Sequence, residues 1–173
     1  NMSDTHYLDW PFFDARHGEL ARQLDAWATE HISPSHGDDV DAECQALVRT
    51  LGQAGWLQHA IGGVAYGGAG DTIDTRTICL IRETLARHNG LADFAFAMQG
   101  LGSGAISLAG TPAQKQHYLP RVARGEAIAA FALSEPEAGS DVAALQCSAE
   151  VVGDEVIING TKTWNTGVHT AAA

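Results

Sequence analysis

Basic residues are scarce in this chain: ten Lys and Arg stand against 21 Asp and Glu, for a formal net charge of -11 over 173 residues. Binding to a phosphate backbone depends on concentrated Lys and Arg, so nucleic acid is excluded as a partner class. An anionic ligand would have to be met by amides, hydroxyls and helix N-termini. Cysteine is scarcer still. Cys44, Cys79 and Cys147 are odd in number, far apart and in no C-x-x-C pair. That spacing argues against a disulfide framework or a zinc knuckle and for a reducing, cytoplasmic setting. No apolar run approaches the roughly 18 residues of a membrane span. The opening NMSDTHYLDW has neither the basic nor the apolar region of a signal peptide, and Asn1 ahead of Met2 reads as a tag remnant. None of the eight histidines falls in H-x-x-x-H or H-E-x-x-H, so no metal site is expected. Ser140 lies in A-G-S-D, outside any G-x-S-x-G elbow, which argues against hydrolase chemistry.

What is present is a hydrophobic content of 45%, that of a folded globular protein, patterned first with helical and then with strand periodicity. Residues 11–32 place Phe13, Leu20, Leu24, Trp27 and Ala28 on one helical face, closed by Ser33, Pro34 and Gly37. A second helix is predicted over 39–54 with Val40, Cys44, Leu47, Val48 and Leu51 inward, stopped by Gly55. The glycine-rich stretch 62–70, GGVAYGGAG, has the spacing of no nucleotide-binding loop and reads as a connector. Helical spacing resumes over 71–88 with Ile73, Thr77, Leu80, Ile81 and Leu85 inward, and Asn89-Gly90 ends it. Residues 91–109 are small or apolar nearly all round, as in a helix enclosed by others, and Gly100, Gly102 and Gly104 allow close backbone approach. Thr111, Pro112 and Gln114 form a capping-box start, with Pro120 interrupting the helix and Gly125 stopping it.

The apolar run 127–133 is long enough for one buried strand and ends in the turn-prone SEPEAGSD. Gly153-Asp154 is a turn candidate, and Asn159-Gly160 is a stronger hairpin signal, so an antiparallel meander is expected. The fold class is therefore α+β: an all-helical domain of about five helices over 1–126, then the first strands of an antiparallel β domain over 127–173. A few strands with one apolar face do not make a stable sheet alone. An N-terminal part of a longer protein, or one half of a split one, is expected. Among the residues after the strand, Glu135, Glu137 and Asp141 read as amide caps or solvated turn residues. Gly139 permits a backbone shape closed to other residues and leaves Ser140 free to approach a ligand. Trp164, on its own, reads as a core aromatic.

AFALSEPEAGSD at 130–141, followed by a strand pair and GTKTW, resembles the flavin-contacting signature of the acyl-CoA dehydrogenase family. GTPAQKQHYLPRVARGE upstream and Tyr66-Gly67-Gly68 are similar to the same family. The resemblance implies FAD as cofactor and α,β-dehydrogenation of an acyl-CoA thioester. Phe131, Leu133 and Ser134 would contact the isoalloxazine. Gly139 and Ser140 would meet the FAD pyrophosphate or the pantetheine of the substrate, and Trp164, Asn165 and Thr166 would pack on the ring and hydrogen-bond near N5. Phe94, Ala97 and Met98 would border the acyl chain. The family's base is a glutamate of a C-terminal helical domain, so no catalytic residue is assigned within these 173 residues. An electron-transfer flavoprotein-type acceptor and a homo-oligomer, a tetramer or dimer, are further implications, as is a place in fatty acid metabolism. Two departures stand out: Phe131 replaces a residue that is often Tyr, and WNTGVHT departs from the family's usual loop. An acyl-CoA oxidase or monooxygenase of the superfamily, and a non-catalytic CoA-binding or partner-binding half of an assembly, are the alternatives.

Overall fold

The computed structural model describes residues 4–34 and 38–167. Within them lie five α-helices, α1 (Ala15–His31), α2 (Val40–Gln53), α3 (Thr75–His88), α4 (Gly90–Ala109) and α5 (Pro112–Ala123), followed by β1 (Ser148–Val152) and β2 (Glu155–Asn159). Helices first and an antiparallel pair afterwards give the expected α+β order. The glycine-rich stretch belongs to the connector between α2 and α3 and holds one short 3-10 turn, Val64–Tyr66, and a bridge between Gly62 and Gly70. Gly37 lies outside the described residues.

The helices pack through the faces their spacing defines. Leu24 and Ala28 of α1, Leu47, Val48 and Leu51 of α2, and Ile81 and Leu85 of α3 meet Ala92, Ala95 and Phe96 of α4 in one buried cluster. Burying a side chain the size of Phe96 contributes about 1.5–3 kcal/mol. Helix α4 touches α2, α3 and α5, so the core is organised around it. Asn89 joins α3 to α4 without a loop: its amide bonds the Leu85 carbonyl to end one helix, and its side chain accepts from the Leu91 amide to start the next. Two helix starts differ from the sequence reading. Helix α1 begins at Ala15 behind Asp14, and α3 at Thr75 behind Asp74, because aspartate caps the helix there in place of an upstream apolar residue.

A polar knot ties those two starts together. His17 is 1% exposed, its Nδ1 accepts from the Asp14 amide, and its Nε2 therefore carries the proton donated to Asp74 Oδ2 at 3.0 Å. Burial alone would raise the Asp74 carboxyl, but hydrogen bonds from His17, Thr77 and the Arg76 amide outweigh it and hold the group well below the usual carboxylate range.

Helix α5 starts with the expected capping box, Gln114 amide to Thr111 hydroxyl and Thr111 amide to Gln114 carbonyl. Pro120 does not interrupt it. The helix continues to Ala123: Pro120 forfeits its own amide bond, and burial of Leu119, Val122 and Ala123 around it holds the last turn. The end is a Schellman closure: the Glu126 amide reaches the Arg121 carbonyl and the Gly125 amide reaches Val122. Gly125 has φ +69, and a Cβ there would collide with the Val48 carbonyl of α2, so the closure also fixes how α2 meets α5.

Helix α4 is less enclosed than its composition suggests. Phe94, Leu101 and Leu108 are exposed and recur every seven residues, which makes one open apolar stripe along it. The hairpin likewise has every residue of both strands exposed.

Candidate functional site

The chain leaves α5 and crosses α4 before reaching the motif. Gly102 makes the crossing possible: a Cβ there would sit 2.7 Å from the Ala129 Cβ and 2.8 Å from the Ala130 amide nitrogen. The backbone of the crossing segment finds its partner in a side chain. Buried Gln99 donates to the Ala127 carbonyl at 2.9 Å and accepts from the Ala129 amide at 2.8 Å. One amide side chain thus replaces a strand partner, and 127–130 forms no ladder. The expected buried strand is correspondingly half right. Ala127 is buried, whereas Phe131, Ala132 and Leu133 are exposed. Gln99 carried no motif in the sequence, and only its isolation as a long polar side chain in an apolar helix could have marked it.

Beyond Ala130 the motif pairs with the second half of the signature. Phe131 bridges Thr166 antiparallel, the Thr163 amide donates to the Ser134 carbonyl at 2.8 Å, and Lys162 donates to Glu135 at 2.8 Å. Each step forward on one segment is matched by one step back on the other, so all three pairs share one register. That register sets Leu133 opposite Trp164 and Glu135 opposite Lys162, on the two sides of the Ser134–Thr163 pair. The sequence reading brought these residues together through a hairpin at Asn159-Gly160. In the structure the hairpin turns at Gly153-Asp154, where Gly153 has φ +63 as a type II′ turn demands of its first central residue. Residues 162–166 then reach the motif directly.

Glu135 is the hub of this arrangement. Its side chain is 6% exposed and takes Lys162 Nζ, the Gln146 amide at 2.7 Å and the Cys147 amide at 3.0 Å, joining the motif to the entrance of β1. The Lys162 hydrogen bond, followed by the Gln146 amide, holds its carboxyl below its ordinary range. Its reading as an amide cap is borne out. Asp141 does the same for the Ala143 amide, and Glu137 is exposed. Lys162 also donates to the Leu133 carbonyl at 2.9 Å, a role the sequence left unmarked.

Trp164 is not a core aromatic. Its side chain is 92% exposed, and its φ of +57 is the one positive value on a non-glycine residue among the described residues. A bulky residue in that region costs about 1–3 kcal/mol and persists where surrounding contacts over-determine it. With Phe131 and Leu133 about a third exposed beside it, Trp164 completes an open apolar face. Ser134 and Thr166 are half-buried at its edges, and Asn165, Gly139 and Ser140 are exposed. Gly139 does not adopt a left-handed shape. A Cβ there would meet nothing within 4 Å, so what glycine leaves at this turn is room, and no conformation is reserved for it.

Of the residues expected along an acyl chain, Phe94 and Met98 line a cavity of about 110 Å³ with Cys44, Val48, Ile128 and Thr166. Ala97 is half-buried on α4 and does not line it. The cavity is smaller than the roughly 300–1,000 Å³ of a whole ligand pocket and forms one compartment beside Thr166. Among the described residues no three His, Cys, Asp or Glu side chains are grouped to hold a metal, and no helix is long and apolar enough to cross a membrane.

Two family descriptions match in succession: acyl-CoA dehydrogenase, N-terminal domain, over residues 14–126, and acyl-CoA dehydrogenase, middle domain, over 130–173. A probable acyl-CoA dehydrogenase of Mycobacterium leprae is 34% identical over 164 residues, covering 90% of this chain and 41% of the relative. Among solved structures, a glutaryl-CoA dehydrogenase from Mycobacterium smegmatis superposes with a TM-score of 0.78 at 28% identity, over 92% of this chain and 41% of that one. An acyl-CoA dehydrogenase complexed with FAD from Bacillus anthracis gives 0.72 at 29% identity, over 88% and 27%. This chain thus spans less than half the length of the relatives it matches. It belongs to the acyl-CoA dehydrogenase family, and its two parts answer to that family's N-terminal domain and the beginning of its middle domain.

Proposed function

We propose that the protein carries out FAD-dependent α,β-dehydrogenation of an acyl-CoA thioester, and that this chain supplies the flavin-facing and part of the acyl-facing surface. The observation that carries the reading is the shared register of 131–135 and 162–166, which turns two distant sequence motifs into one open face ending in a strained, outward Trp164. A flavin fits that face. Its ring is flat and apolar with polar edges, matching exposed Phe131, Leu133 and Trp164 flanked by the hydroxyls of Ser134 and Thr166. Bound there, FAD would accept the hydride leaving the β-carbon.

The chain's own residues bind and orient. Phe131 and Trp164 pack on the ring, Ser134 and Thr166 direct hydrogen bonds to its edge, and Asn165 stands next to Thr166 at the rim. Gly139 and Ser140 leave an unobstructed, polar turn for the pyrophosphate or the pantetheine arm. Phe94 and Met98 face the acyl group, and the open stripe through Leu101 extends that wall. The base is assigned to a segment outside this chain. An electron-transfer flavoprotein-type acceptor and a homo-oligomeric assembly in the cytoplasm complete the proposal.

The full-length protein is expected to purify yellow with FAD, and its visible flavin band to bleach on anaerobic addition of an acyl-CoA. A colourless protein that ignores added FAD sinks the proposal. Rapid reoxidation of the reduced flavin by oxygen would reassign it to the oxidases of the superfamily.

A further inference from the structure

We propose that Glu135 and Lys162 are positioning residues: their ion pair is a latch that sets the register in which Trp164 and Thr166 face Leu133 and Phe131. The proposal rests on the flavin reading above. Three features carry it. First, the pair lies two positions from Leu133 and Trp164 in the shared register, about 7 Å along an extended chain. A charged, nearly buried pair is a poor choice for stability, since an apolar pair of the same volume generally serves as well; fixing a register is its best-attested use. Second, the pair is fully engaged. Glu135 meets three donors, and Lys162 divides between its carboxylate and the Leu133 carbonyl, so a slipped register would strand a buried charge. A one-residue slip would also take Trp164 away from its place opposite Leu133.

Third, among the described residues the backbone of 162–166 meets the motif at two points, the Thr163 hydrogen bond and the Thr166 bridge. Between the Thr163 hydrogen bond and the Thr166 bridge the positive φ of Trp164 interrupts the ladder, and a strained residue needs both its flanks fixed. The bridge fixes one flank and the latch the other. Glu135 lies outside the proposed ring surface and Lys162 meets it only at the Leu133 carbonyl, so their effect on the cofactor would be exerted through Leu133, Trp164 and Thr166.

The test compares wild-type full-length protein with K162M and K162R. In the FAD-free form, hydrogen exchange at the Thr163 amide is read. FAD titration then gives the affinity and the spectrum of the bound flavin. K162M is expected to speed Thr163 exchange and weaken FAD about tenfold or more, with the flavin spectrum drifting toward that of free FAD and the helical circular dichroism unchanged. K162R, which keeps the charge, should restore most of the affinity and the bound spectrum. If wild type and K162M take up FAD with equal affinity and the same spectrum, the latch is refuted and the flavin reading stands. Loss of FAD only in proportion to lost helical signal, or equal failure of K162R, also refutes it. If the wild type takes up no FAD, the flavin reading falls and the latch's role falls with it.

Discussion

Replacing Trp164 by glycine separates what that residue does for the fold from what it does for a ligand. In the folded chain the indole is 92% exposed, so its removal forfeits almost no buried area. The backbone gains. At φ +57 a side chain costs about 1–2 kcal/mol that glycine does not incur, while glycine's extra freedom in the unfolded chain takes back about 0.5–1 kcal/mol. The net expectation is a variant as stable as the parent or about 1 kcal/mol more stable, measured by chemical denaturation of the FAD-free full-length protein. Cofactor binding should move the other way. A stacked aromatic pair is worth about 0.5–1.5 kcal/mol beyond its area, so FAD affinity read by fluorescence titration should fall roughly two- to twelve-fold. Trp164→Ala, which keeps the strain and loses the ring, should bind as poorly without the gain in stability. A glycine variant that loses more than about 1 kcal/mol would show that the indole is packed in the complete protein. Unchanged FAD affinity would refute its place on the ring.

Gly125→Ala should destabilise by at least about 1–2 kcal/mol in the same denaturation assay, because it forces a side chain into a left-handed position and against the Val48 carbonyl. Asp74 gives a pH dependence of defined sign. Its carboxyl is depressed from the ordinary 3.8, so its stabilising contribution is complete above that value and is lost as pH falls further toward the folded-state value. Asp74→Asn retains a competent helix cap but not the charge. Its melting temperature should be lower than the parent's at neutral pH, with the gap closing in acid.

How far the sequence could be read depended on whether the deciding interactions were local. The inward faces of α1 to α3 followed from spacing, save that Val40 at the start of α2 is exposed, while α4, read as enclosed all round, keeps an open stripe; the Thr111 capping box and the Gly125 stop followed from side chains adjacent in sequence. Pro120 was misjudged because the cost of one lost amide bond is local, whereas the packing of Leu119, Val122 and Ala123 that outweighs it is tertiary. The Asn159-Gly160 turn failed for a different reason. Turn propensity is a matter of about 1 kcal/mol, and here it competes with a Lys162 ion pair, a Thr163 hydrogen bond and a Thr166 bridge to a segment some thirty residues upstream. Gly153-Asp154 offered a turn compatible with that distant pairing. Nor could periodicity show that Gln99 would stand in for a strand, or that Trp164 would be strained and exposed; both depend on segments that meet only in the folded chain.

The hairpin of β1 and β2 has a consequence for handling the protein. Val151 and Val152 are neighbours in sequence and so project from opposite sides, as do Ile157 and Ile158, and all four are exposed. An apolar ribbon with two wettable sides and open edges is a template for its own kind. Glu150, Asp154 and Glu155, carried on or between the same strands, act as charged gatekeepers against that association. Their protection is electrostatic, so it weakens with added salt. The same acidity that keeps nucleic acid away is thus what keeps copies of this ribbon apart.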